Sequence, residues 1–184
     1  LTQGEALALR LCMSGTSSSL ELFVKAAFAQ VDKHVTLSTI PFGTLQQHLL
    51  STVPKAMVEA FLIFPWDLSG VLDWRSGLPT EPSSADSVLR EAVQTINRIK
   101  QRKPAALVYV DAIIPPITET TTKDAALALE LKALVTEIGG ITLGSDAFSL
   151  PSYLALGTPS AGNSLSRIAQ RLAEEVVQKR PAPS

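Results

Sequence analysis

Five times along this chain a short apolar run is followed, after a turn or loop, by a stretch that reads as a helix. The first run spans residues 9–13, with Leu9, Leu11, Cys12 and Met13 reading as a buried strand. It breaks at Ser14, Gly15, Thr16, Ser17, Ser18 and Ser19, then resumes as a helical stripe of Leu20, Phe23, Val24, Ala27, Phe28 and Val31. Ser18 and Glu21 have the spacing of a capping box, so a helix is expected to begin near Ser18. Residues 34–40 alternate and are β-branched, a second strand closed by Pro41, Phe42 and Gly43. Thr44 can cap a short helix carrying Leu45, Leu49 and Leu50.

A third strand is expected from about Ala60 to Phe64, closed by Pro65. Residues 66–82 show neither period and read as an ordered loop or a lid; loops of that length in a compact domain are often functional. A helix with Leu89, Ala92, Val93, Ile96 and Ile99 follows, capped by Ser84 or Asp86 and basic at its end. Residues 106–110 form a fourth strand ending at Asp111 and the loop Ile114, Pro115, Pro116. The next stripe is Leu127, Leu131, Leu134, Val135 and Ile138, ended by Gly139 and Gly140. Residues 141–143 are a fifth strand, residues 144–160 a polar loop, and residues 161–178 a final amphipathic helix.

Apolar strands alternating with amphipathic helices imply a parallel sheet covered on both faces. The expected fold class is α/β: a three-layer α/β/α sandwich on a five-stranded parallel sheet, flavodoxin-like in the broad sense. The 184 residues suit one domain, taken as residues 1–180 with a frayed tail at 181–184. The chain begins at Leu1 rather than Met, as expected of a piece of something longer.

Composition narrows the partners. A net charge of -1 argues against nucleic acid, whose phosphates demand a basic excess. No apolar run has the length to span a membrane, and no basic and apolar leader opens the chain, so a cytoplasmic location is the expectation. One cysteine, Cys12, allows no internal disulfide and no cysteine-based zinc site. Its place in a core strand marks it as a small hydrophobe. No cofactor motif occurs: Gly15, Thr16 and Ser17 lack the lysine and spacing of a phosphate loop.

In a parallel sheet the ligand crevice lies at the carboxyl ends of the strands. That rule selects Ser17 and Asp67 as candidate catalytic groups, and Gly15, Thr16, Gly43, Trp66, Asp111 and Asp146 as candidate binding residues. A serine nucleophile needs a base within hydrogen-bond reach. The two histidines are poorly sited for it: His34 opens the second strand, at the far edge of the sheet, and His48 sits in the second helix, expected to face water. Asp67 and Asp73 read either as a carboxylate pair for a hard metal or as loop stiffeners paired with Arg75, beside Trp66 and Trp74. The second reading is favoured, and no metal is expected.

Gly15-Thr16-Ser17 after the first strand resembles the Gly-Asp-Ser block of the SGNH (GDSL) hydrolases, and Pro65-Trp66-Asp67 stands near their third-strand block. The last block of that family is Asp-x-x-His-Pro before a helix; here Ala155, Thr158 and Pro159 stand at the corresponding positions. The resemblance is thus to an SGNH scaffold without its catalytic base, in which Ser17 would match the nucleophile and Asp67 an oxyanion-loop residue. Phe64-Pro65-Trp66-Asp67 with Leu72-Asp73-Trp74-Arg75-Ser76-Gly77, and Pro41-Phe42-Gly43-Thr44, are similar to the amino-terminal domain of FkbH-like biosynthetic proteins. In those an SGNH-like domain precedes a haloacid-dehalogenase-like one. The resemblance implies work in polyketide starter loading, glyceryl or acyl transfer to carrier proteins, or surface-polysaccharide assembly. Its implied partners are a C-terminal haloacid-dehalogenase-like domain or an acyl carrier protein. Two other readings stay open: a divergent esterase or acyltransferase using Ser17, and a structural interaction module. Whether the chain is an enzyme is left undecided by its residues.

Overall fold

The structure is a computed structural model and describes residues 6–52, 55, 57–73, 84–112, 122–156, 160 and 162–179. Strands β1 (Leu7–Cys12), β2 (Val35–Thr39), β3 (Val58–Ile63), β4 (Ala106–Val110) and β5 (Ile141–Leu143) form one sheet in the order β2-β1-β3-β4-β5. Every neighbouring pair is parallel, in registers such as Leu9 with Leu37, Leu11 with Ala60, and Leu62 with Val108. The helices are α1 (Ser18–Gln30), α2 (Leu45–Leu49), α3 (Pro65–Leu68), α4 (Ala85–Gln101), α5 (Thr122–Glu137), α6 (Leu150–Leu156) and α7 (Gly162–Lys179).

Side chains alternate across a strand, so each strand feeds two cores. Leu9, Leu11, Ala60, Leu62, Val108 and Val110 point to one face, where Leu20, Val24 and Phe28 of α1 and Leu165, Ile168 and Leu172 of α7 cover them. Cys12, Phe61, Ile63, Leu107 and Tyr109 point to the other. There Leu45 and Leu49 of α2, Ala92, Ile96 and Ile99 of α4, and Leu131 and Val135 of α5 close the layer. This is the three-layer sandwich. β3 and β4 are buried along their whole length, as central strands covered on both faces must be.

Several boundaries differ from the sequence expectation. β3 starts at Val58, two residues earlier than Ala60, which brings Glu59 into the sheet. α1 does start at Ser18, but Ser17 is its N-cap and makes no side-chain bond to the backbone, so the Ser18 capping box is not formed. α4 is capped by Ser84, whose Oγ accepts the Ser87 N–H at 3.2 Å. Val93 of the expected stripe is exposed and Val88 buried, which rotates the apolar face by part of a turn. The stretch after Phe64, expected as an ordered loop or a lid, opens with α3 and a 3-10 turn at Gly70–Leu72. The polar segment after β5 likewise contains α6. Trp74, Arg75, Gly77, Ile114, Pro115, Pro116, Gly157, Thr158, Pro159 and Ala161 lie outside the described residues.

α5 ends at Gly139, held at φ +78°, a left-handed conformation that glycine adopts without a Cβ clash. Gly140 is required for a different reason. A Cβ there would stand 2.5 Å from Val135 Cγ1 and 2.9 Å from both Leu107 Cδ2 and the Val135 carbonyl oxygen. The approach of the α5–β5 turn to β4 therefore has no room for a side chain. Gly140→Ala is expected to destabilise the fold by about 1–3 kcal/mol through overpacking, read as a lower urea midpoint with an unchanged slope.

Candidate functional site

The C-terminal ends of the strands bring together part of what the crevice rule selected. The Gly43 N–H, in a turn at φ +72°, donates to the Ser14 carbonyl at 3.4 Å, joining the turn after β2 to that after β1. Trp66 Nε1–H donates to Ser14 Oγ at 3.2 Å. The Trp66 ring stacks on Phe64, with centroids 4.6 Å apart, and meets Phe148 edge-on at 6.1 Å. Gly15 and Thr16 form the turn between Ser14 and α1. Ser17 Oγ–H donates to Glu21 Oε1 at 2.9 Å, one helical turn on.

Asp67 is buried, and its Oδ2 accepts the Phe64 N–H at 2.9 Å. Its carboxylate thus closes the first turn of α3, and its carbonyl accepts Gln46 Nε2–H at 2.9 Å. Asp111 pairs with Lys132 of α5, Oδ2 to Nζ 2.6 Å. Asp146 pairs with Arg167 of α7 at 2.8 Å on the open surface, where the Arg167 guanidinium holds its carboxyl below the usual range. Ser14 thus links Gly43 and Trp66, while Ser17, Asp67, Asp111 and Asp146 each have their own partner. Neither histidine reaches the serine turn: His34 is exposed ahead of β2, and His48 is bonded elsewhere.

The densest constellation is one the sequence reading missed. His48 does not face water; its side chain is 9% exposed and its Nε2 lies 2.6 Å from Glu59 Oε1. The same nitrogen is 3.2 Å from Arg102 Nη2 and 3.4 Å from Cys12 Sγ. Arg102, just past α4, grips Glu59 with both arms of its guanidinium: Nε to Oε2 at 2.7 Å and Nη2 to Oε1 at 2.9 Å. Its Nη1 donates to the Ser51 carbonyl at 2.7 Å. Burial raises the Glu59 carboxyl, but the hydrogen bonds and charges of Arg102 and His48 outweigh it and leave the group below the usual carboxylate range. The Glu59 carboxylate in turn raises Arg102.

A signal for this cluster exists. Glu59 interrupts an otherwise apolar run, two residues before Phe61 and so on the same sheet face. His48 follows Leu45 by three positions, which places it on the buried side of α2.

A Cys, a His and a Glu in contact suggest two chemistries, and the geometry refuses both. A nucleophilic triad needs the imidazole to engage the thiol with one nitrogen and the carboxylate with the other. Here Cys12 and Glu59 both meet Nε2, whose single hydrogen is taken by the shorter contact. The thiol is wholly buried, and burial, followed by the Glu59 charge, pushes its pKa up, away from the thiolate. For a metal, the three ligand atoms lie within 4.8 Å of one another. Both Glu59 oxygens, however, are given to Arg102, so a guanidinium already stands where a cation would. The cluster is a buried ion-pair network. A shallow cavity of about 260 Å³ opens beside it at the N-terminal edge of the sheet, lined by Met57, Glu59, Arg102, Lys103, Pro104 and Lys179.

No protein-family model matches the chain, and no curated protein matches it. Among solved structures, it is similar to the N-terminal part of the protein BF1531 from Bacteroides fragilis, which contains a phosphatase domain and is complexed with Mg. The TM-score is 0.64 at 9% identity, over 90% of this chain and 50% of that one. The chain thus spans half the length of that structure's chain, and at this identity the likeness is one of fold.

Arg102→Met strands a buried carboxylate and is expected to cost about 3–5 kcal/mol. The double variant Glu59→Leu with Arg102→Met recovers most of that, because neither charge is left unpaired. Glu59 has a lowered folded pKa, so its stabilisation is fully present above the unfolded value of about 4.3 and is lost as pH falls through the folded one. Chemical denaturation from pH 7 to 3 should therefore show an acid limb that is shallower in Glu59→Gln. The folded protein should leave Cys12 unmodified by a thiol reagent such as Ellman's, with one equivalent reacting after unfolding.

Proposed function

We propose that this chain is a non-hydrolytic SGNH-like domain of a modular, FkbH-like biosynthetic protein. In this reading it binds a ligand or a partner through the crevice at the C-terminal ends of its strands. The observation that carries the reading is the company of Ser17. Its hydroxyl donates to Glu21, and each imidazole lies in another part of the fold. Acyl chemistry at a serine asks for a base that takes the proton and returns it to the leaving group, a task imidazole performs near neutral pH. A carboxylate one helical turn away orients the hydroxyl and favours the positive end of the α1 dipole.

The wider setting rests on two supports. One is the motif set Phe64-Pro65-Trp66-Asp67 and Pro41-Phe42-Gly43-Thr44, which follow β3 and β2 at their C-terminal ends. The other is the likeness in fold to the N-terminal part of a protein that contains a phosphatase domain. Under this proposal the natural partners are a haloacid-dehalogenase-like domain and an acyl carrier protein. The transferred group passes along polyketide starter loading, glyceryl or acyl carriage, or surface-polysaccharide assembly. Ser17 then serves binding, together with Gly15, Thr16, Gly43 and Trp66.

The Ser17–Glu21 pair is the one observation on the side of a divergent esterase, and a direct assay separates the two. The chain should hydrolyse p-nitrophenyl acetate no faster than Ser17→Ala does, and a fluorophosphonate probe should leave no adduct at Ser17 by mass spectrometry. Turnover or labelling that disappears in Ser17→Ala would return the chain to the hydrolases.

A further inference from the structure

The end of α4 is built against the local rule. α1, α4 and α5 each turn left-handed two residues past their last helical position, at Asp32 (φ +53°), Lys103 (φ +51°) and Gly139 (φ +78°). Glycine adopts that conformation without a Cβ clash, and aspartate is among the few other types that visit it. Lysine is neither. Pro104 stops α4 here whatever stands before it. The Lys103 N–H, which donates to the Lys100 carbonyl at 3.0 Å, would do the same from a glycine. The backbone thus asks for glycine, and what lysine adds is its side chain. A residue held in such a conformation is a pointer to function.

That side chain lines the cavity of about 260 Å³ at the N-terminal edge of the sheet, and Lys179 at the end of α7 lines it too. Donors are in surplus there. The one carboxylate on the wall, Glu59, has both oxygens held by Arg102 and one of them shared with His48. The guanidinium thereby cancels its charge. Arg102 has more N–H donors than its bonds to Glu59 and the Ser51 carbonyl use. No carboxylate among the described residues pairs with the Lys103 ammonium. Lys179 has Glu175, 3.7 Å away in a solvent-facing pair. Met57, Val58, Pro104 and Ala105 complete the wall with apolar surface. Against such a wall the field of an ammonium group is stronger than in open water.

We propose that this cavity binds a small oxyanion, a phosphate or a carboxylate group, held by the Lys103 and Lys179 ammonium groups beside Arg102. Charge selects the class: once Glu59 and Arg102 cancel, the wall keeps two ammonium groups, which attract an anion and repel a cation. Size selects within it, since the volume falls just short of the roughly 300–1,000 Å³ of drug-sized sites and suits a compact ion. Binding turns Lys179 away from Glu175, and a solvent-facing pair one helical turn apart is weak enough to be exchanged. The site lies at the opposite edge of the sheet from the serine turn and does not depend on the reading of that crevice. The simpler role for both lysines is to complement the carbonyl ends of α4 and α7. That role requires charge near a helix end and no ligand, so experiment separates the two.

Amide ¹H–¹⁵N NMR on the full chain tests this by titration with inorganic phosphate and, separately, with acetate, each against sodium chloride of equal ionic strength. The expected result is saturable shifts at Val58, Glu59, Arg102, Lys103, Ala105 and Lys179 with at least one of the two oxyanions and not with chloride. Which of the two saturates assigns the group. Lys179→Gln and Lys103→Gly should each weaken the fitted affinity about tenfold, the worth of one hydrogen bond to a charged group. Without anion, Lys103→Gly should raise Tm, because glycine takes the left-handed turn unstrained. Lys179→Gln is at an exposed position and keeps the binding test valid whatever Lys103→Gly does to folding. Shifts no larger than those in chloride, shifts centred elsewhere in the chain, an affinity unchanged in either variant, or a Lys103→Gly protein of lower Tm would each overturn the proposal and leave the lysines as helix-end charges.

Discussion

A carboxylate in the middle of a sheet has to be answered, and the answer organises this fold. Glu59 stands in β3, every residue of which is buried. Its charge is met by two hydrogen bonds from Arg102, a residue 43 positions further on. That distance spans α3 and the whole of α4, so the pair closes the β3–α4–β4 crossover like a clasp. The same guanidinium holds the Ser51 carbonyl, and His48 shares the Glu59 oxygen, so the end of α2 is drawn into the clasp as well. An ion pair of this kind adds little net stability over hydrocarbon of the same shape, but it tolerates no half-measures: each charge alone is costly. It ties the ends of α2 and α4 to β3.

The two ends of the sheet have consequently been put to different uses. The interior of the N-terminal end is committed to structure, with a buried carboxylate, a guanidinium and an imidazole satisfying one another. The C-terminal end holds the turns after β1 and β2, the Trp66 ring with its hydrogen bond to Ser14, and the Asp111–Lys132 pair. Polar groups there are attached to short turns rather than interlocked across the core.

Residue type leaves a side chain's setting open until its partner is known. A serine in a Gly-Thr-Ser turn after the first strand is a candidate nucleophile, and here its hydroxyl donates to the Glu21 carboxylate. A histidine on a five-residue helix reads as a solvated side chain, yet it is sealed against Phe61 and Glu59. In both cases the local pattern is compatible with either outcome. What decides is which chain segment lies opposite, and that information is carried by residues tens of positions away.

The alternation of five apolar runs with the longer helices was legible, and with it the parallel five-stranded sheet, its covered faces and the loops at its C-terminal edge. Those follow from periods of two and 3.6 residues, which are properties of neighbours in sequence. β5 and the buried faces of α1 and α7 came out of the pattern with little change. The start of β3 did not, because a glutamate in a strand contradicts local propensity and is tolerated only once Arg102 is folded against it. The clasp and the burial of His48 came from the folded chain alone. Each depends on groups brought within hydrogen-bond reach, or kept out of it, by the path of the chain through three dimensions.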